Sequence, residues 1–169
     1  SELASARAAV GLDVDCLLGG TRPDLVTTIT RDHPVRYFPF PGEIVGHPSV
    51  LAGSIDEITA SAKRLADLEH VHGLDLLAYR HDGDVATLMR QVCGAVAKPV
   101  VMAGSIDRED RIVTAAEAGA AGFTVGTAAL DGVFPAEDEG FTGQIRSILA
   151  MTVAGSVDSS SSSTSFTYG

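Results

Sequence analysis

Strand-like and helix-like segments alternate along this chain, and that alternation restricts its fold more than any other feature. Short apolar runs begin near residues 13, 35, 74, 100 and 122, with helical spacing of apolar residues between them. Sequential units of this kind build right-handed βαβ crossovers and a parallel sheet. Residues 1–10 read as the end of a helix with Leu3, Ala6 and Val10 on one face, stopped by Gly11. The run 12–18 ends in Gly19-Gly20-Thr21, and Arg22-Pro23-Asp24 opens a helix to about Thr30. Residues 35–40 form the next strand and enter a loop, 41–49, whose Gly and Pro residues argue against regular structure. Ser54-Ile55-Asp56-Glu57 has the spacing of a capping box and heads a helix to roughly Glu69. A strand over 74–78 ends at Tyr79-Arg80. Helices follow over 84–96 and 108–118, with a final one over 141–151.

The last two strands end alike. Residues 99–105 read Pro-Val-Val-Met-Ala-Gly-Ser, and residues 121–127 read Ala-Gly-Phe-Thr-Val-Gly-Thr. Neighbouring parallel strands deliver both endings to one edge, where Gly104, Ser105, Gly126 and Thr127 offer open backbone N–H groups and hydroxyls suited to a phosphate. The other reading is that both are ordinary turns using glycine for geometry. Gly-Ser-Ile-Asp recurs at 53–56 and 104–107, which reads as two helix starts with the same capping chemistry.

Charge narrows the partners. A formal net charge of −10 with no Lys/Arg-rich stretch disfavours nucleic acid and anionic membranes. No apolar run approaches the roughly 18 residues of a transmembrane helix, and residues 1–7 match neither a secretory nor a transit pattern. Cys16 and Cys93 fall in apolar segments and read as free thiols in a cytoplasmic protein. Neither a metal site nor a cofactor is expected, because two cysteines and five scattered histidines give no ligand spacing. With 169 residues, 45% of them hydrophobic, one core is expected over 1–152. A Ser-rich tail, expected to be disordered, covers 153–169, with Phe166 and Tyr168 near its end.

With the two strand endings placed, the chain resembles the phosphate-binding (βα)8-barrel superfamily. That group contains histidine- and tryptophan-biosynthesis isomerases and synthases, thiamine-phosphate synthase and sugar-phosphate epimerases. The resemblance implies that the strands near 100 and 122 correspond to the seventh and eighth of a barrel, whose loops hold the substrate phosphate. Counting back, strands near 74, 35 and 13 become the sixth, fifth and fourth, and the first three have no counterpart. The expected fold is therefore an incomplete TIM-type barrel of about five parallel strands. Its raw edges, near residues 14–17 and 123–125, would be covered by homo-oligomerisation.

Candidate chemistry collects on the strand ends. Arg80 can hold a second anionic group or stabilise an oxyanion, or it can pair on the surface with Asp82 or Asp84. Tyr79 beside it is a pocket residue. Asp107 suits a general base near a phosphate ester, but it fits better as an N-cap for the next helix. His47 in the long loop can titrate near neutrality or simply face solvent. Gly20 and Thr21 form a third, similar turn that lies across the sheet. Lys63 and Lys98 fall mid-helix and on the far face, which disfavours a Schiff base. The expected function is binding of a small phosphorylated metabolite, with isomerisation, epimerisation or non-Schiff-base lyase chemistry. Two alternatives stand beside it: a non-catalytic barrel remnant that keeps the anion site, and a recruited hydrolase.

Overall fold

The computed structural model describes residues 1–160, with side chains described through residue 152. In chain order its elements are α1 (Glu2–Gly11), β1 (Cys16–Leu18), α2 (Pro23–Thr30), β2 (Arg36–Phe38), β3 (Glu43–Val45), β4 (Val50–Ala52), α3 (Ile55–Ala66) and β5 (Leu74–Leu76). A 3-10 turn (Ala78–Arg80) precedes α4 (Val85–Ala95), and β6 (Val100–Met102), α5 (Glu109–Glu117), β7 (Gly122–Phe123), α6 (Thr127–Leu130) and α7 (Gly140–Ser160) complete the set. Residues 161–169, which hold Phe166, Tyr168 and the end of the serine run of the expected tail, lie outside the described residues.

The expected continuous sheet of five parallel strands is not formed. The parallel strands divide into a pair, β1–β2, and a triplet, β5–β6–β7, with an antiparallel hairpin β3–β4 beside them. The reason lies in β2 and the residues after it. In a parallel strand, alternate residues direct their N–H and C=O to opposite neighbours. Arg36, Phe38 and Phe40 bond to the β1 side: Arg36 donates to Asp15 O, Gly19 donates to Phe38 O and Phe40 donates to Gly20 O. Positions 37, 39 and 41 face β5, and two of the three are prolines without an N–H. What spans the seam is His72 N–H to Tyr37 O (2.8 Å), Asp75 N–H to Pro39 O (3.0 Å) and Tyr37 N–H to His72 Nδ1 (3.2 Å). No five-stranded parallel barrel exists among the described residues, and the expected fold class is corrected accordingly.

The segment 41–49 is also more ordered than its Gly and Pro content predicts. Gly42 (φ +82°) and Gly46 (φ +72°) begin and turn the β3–β4 hairpin, which pairs Ile44 with Leu51. A Cβ on Gly42 would stand 2.7 Å from Leu51 Cδ1, so the glycine lets the hairpin lie flat on the core. The capping box at α3 forms as its spacing predicts. Ser54 Oγ accepts from Glu57 N–H, and Glu57 Oε2 accepts from Ser54 N–H at 2.8 Å.

One hydrophobic cluster joins the layers. Leu74, Leu76, Val100 and Met102 of the triplet pack with Ile58 and Ala62 of α3, Leu88 and Val92 of α4 and Ile112 of α5. Each large aliphatic side chain so buried contributes roughly 1.5–3 kcal/mol. α7 buries Gln144, Ile148 and Met151. The Gln144 carboxamide closes on the Phe134 backbone in both directions, donating to O (2.7 Å) and accepting from N–H (2.8 Å). No helix among the described residues is long and apolar enough to cross a membrane.

Candidate functional site

The turns after β6 and β7 open onto one cavity of about 430 Å³. Of the residues singled out from sequence, Arg80, Gly104, Ser105, Asp107, Gly126 and Thr127 all line it. They meet because three adjacent parallel strands end on the same side. The Val101↔Gly122 and Leu76↔Met102 registers put the segments after residues 76, 102 and 123 side by side. Thr124 also lines the cavity and adds a third hydroxyl that sequence reasoning did not single out.

The β6–α5 turn has an unusual backbone. Gly104 (φ +77°) and Ser105 (φ +59°) are consecutive left-handed residues, a conformation a serine seldom adopts. This turn does not repeat the capping chemistry of Ser54, because α5 begins at Glu109 with Arg108 at its N-cap and no side-chain cap bond. The expected Asp107 cap is absent for the same reason. Asp107 Oδ1 instead meets Arg108 Nη1 at 3.1 Å and Arg111 Nη1 at 3.2 Å. The amides of Ser105, Ile106, Gly126 and Thr127 donate to no other backbone group among the described residues.

Arg111 organises the turn from below and was not foreseen. Its Nη1 also donates to Ser105 O, and its guanidinium lies 4.8 Å from the centroid of the Tyr79 ring. Tyr79 Oη donates to Arg111 O at 2.9 Å. Burial, first of all, holds the Tyr79 phenol above its ordinary value, so it acts as a neutral donor.

Arg80 takes neither carboxylate offered by the sequence. Asp84 caps α4 through Thr87 N–H (3.0 Å) and Thr87 Oγ1 (2.7 Å), whereas Arg80 Nη1 donates to Ser49 O at 3.2 Å. Arg80 and Ser105 also line an adjoining cavity of about 320 Å³, walled by Tyr79, His81 and the Pro48–Val50 side of the hairpin. His81 Nδ1 lies 3.0 Å from Leu51 O; a carbonyl only accepts, so Nδ1 carries the proton.

Three expected residues fall elsewhere. His47 is exposed at the hairpin turn and lines neither cavity. Gly20 borders a separate cavity of about 160 Å³ beyond β1, and Thr21 bonds to Glu2 there. Among the described residues no group of three or more His, Cys, Asp or Glu side chains is placed to hold a metal ion.

No protein-family model matches the chain, and no curated protein matches it. Among solved structures it resembles a chain of the Amycolatopsis orientalis BexX/CysO complex, with a TM-score of 0.65 and 17% sequence identity. The likeness is one of fold. It covers 99% of this chain and 66% of that one, so this chain spans less than two thirds of its neighbour's length. The neighbour is part of the BexX/CysO complex. The expected superfamily membership is set aside on that finding, and the isomerase and lyase assignments that came with it lose their support.

Proposed function

We propose that the chain binds a small phosphorylated molecule, with the phosphoryl group held between the turns after β6 and β7. The observation that carries this reading is the convergence in one cavity of the Arg80 guanidinium, three hydroxyls and two Gly-containing turns. Arginine pairs with phosphate through a planar fork, and backbone N–H groups with side-chain hydroxyls complete such cradles. Binding is favoured over turnover. Among the described residues Asp107 is the one carboxylate lining the cavity, and both Arg108 and Arg111 engage it. The neighbour's membership of a protein complex supports protein partnering as well. The edges of β1 and β7 each pair on one side only, which favours contact with a second copy.

Titration of the full chain with inorganic phosphate and glycerol phosphate, followed by amide NMR, tests the ligand. The amides of Ser105, Ile106, Gly126 and Thr127 are expected to shift together, and unmoved amides at these positions would refute the reading. Light scattering at the same concentrations tests self-association. A monomer at all concentrations removes that part alone.

A further inference from the structure

The turn after β1 closes around a side chain of its own chain. Thr21 donates both its N–H (3.0 Å) and its Oγ1–H (2.8 Å) to Glu2 Oε1, and Arg22 N–H donates to Glu2 Oε2 at 3.0 Å. α2 starts at the next residue, Pro23, so the carboxylate sits on the positive end of that helix. Burial alone would raise the Glu2 carboxyl, but the bonds from Thr21 and Arg22 outweigh it and hold it below its ordinary value. An anion is thus well accommodated here.

A second group points into the same place and is left unsatisfied. Tyr37 is fully buried, and its hydroxyl has no hydrogen-bond partner among the described residues. Its Oη lies 2.9 Å from the point where a Cβ on Gly20 would stand, and the Glu2 carboxyl carbon lies 3.6 Å from that same point. A buried hydroxyl without a partner is costly, and such groups in native proteins ask for an explanation. Glu2, Gly20 and Tyr37 all border the cavity of about 160 Å³.

We propose that the Gly19–Arg22 turn is a second oxyanion site, that its ligand is a small carboxylate bearing an adjacent hydroxyl or keto oxygen, and that Glu2 occupies it as an internal stand-in. The Glu2 carboxylate satisfies the donors of Thr21 and Arg22 and leaves Tyr37 alone. A hydroxy- or oxo-carboxylate presents the same pair of oxygens and one more within reach of Tyr37 Oη. The site belongs to the β1–β2 sheet and is separate from the cavity around Arg80 and Ser105. Because Glu2 is tethered, it competes at a high effective concentration, and its removal strengthens ligand binding.

The test uses Glu2→Ala and Glu2→Gln in the whole 169-residue chain, with lactate and pyruvate as probes and acetate as the comparator without the extra oxygen. In Glu2→Ala the probes are expected to shift the Thr21 and Arg22 amides and to bind at least about tenfold more tightly than to the unaltered chain. Adding Tyr37→Phe should bring lactate down to the affinity of acetate. Unmoved Thr21 and Arg22 amides in folded Glu2→Ala would overturn the proposal. So would equal affinities for lactate and acetate with Tyr37 intact, or shifts confined to Ser105 and Thr127. If Glu2→Ala does not fold, Glu2→Gln keeps the side-chain shape without the charge and carries the same readout, with the same outcomes deciding.

Discussion

Arg80 lies across Gly104, with its Nε 2.9 Å from the point where a Cβ on that glycine would stand. The close approach and the positive φ of Gly104 together mean that any side chain at 104 displaces the guanidinium from the proposed phosphate cavity. Arg80→Gln, which keeps the first three carbons of the side chain and loses the charged fork, is expected to weaken phosphate binding by roughly 10- to 100-fold, the size of a charge-assisted hydrogen bond. Gly104→Ala should weaken it similarly by moving Arg80. Calorimetric titration of both variants checks this, and an affinity within twofold of the unaltered chain would remove Arg80 from the site.

Gly126 provides a cleaner contrast. Nothing lies within 4 Å of a Cβ built there, so an added methyl group meets no neighbour. Gly126→Ala is therefore expected to fold and bind normally. Gly126→Asp should keep the fold and abolish phosphate binding by placing a negative charge in the cavity. Circular dichroism with phosphate titration separates loss of binding from loss of structure.

Asp75 makes stability depend on pH. It sits mid-β5, 4% exposed, with Oδ1 lacking a partner, and burial pushes its carboxyl up from 3.8 to about 7. Between these two values the folded protein keeps a proton that the unfolded chain has released. Stability therefore falls as pH rises through that window and levels off above it, by on the order of 4 kcal/mol in all. His72 acts in the opposite sense. Burial, foremost, lowers it from 6.5, so its contribution is present above that value and is lost as pH falls. Urea denaturation from pH 5 to 8 should show a decline for the unaltered chain. Asp75→Asn should reverse the slope to the shallow rise left by His72, and an unchanged decline in that variant would clear Asp75 of the effect.

Gly73 carries a packing constraint. A Cβ there would lie 2.2 Å from Phe38 Cε1 and 2.5 Å from Pro99 O, a ring and a backbone atom that cannot both give way. Gly73→Ala is expected to destabilise by about 1–3 kcal/mol, the usual cost of overpacking. Thermal unfolding measures it, and pairing the change with Phe38→Leu should recover part of the loss.

The order of strands and helices was legible because each element carries its own period, and the Ser54–Glu57 cap was legible because its chemistry spans only four residues. The cavity could be assembled from strand ends alone, since parallel strands bring their carboxyl ends to one side. Arg111 was not legible: its role depends on a helix side chain returning to Ser105 and Tyr79, and no local pattern records that. The β3–β4 hairpin was hidden because Gly42 and Gly46 read as breakers until their positive φ angles show them serving it. Glu2 gave no signal either, since its partners Thr21 and Arg22 lie some twenty residues away.

The break beside β2 has a lasting mechanical meaning. Pro39 and Pro41 remove donors covalently, so no backbone rearrangement can restore the missing rungs. The two groups of strands resemble two plates fastened at a few bolts: three hydrogen bonds, a shared hydrophobic cluster and the wedge of Phe38 against Gly73 stand in place of a continuous ladder. Shear along that plane meets side-chain packing together with the three hydrogen bonds of the seam, and the close fit of Phe38 against Gly73 adds to that resistance.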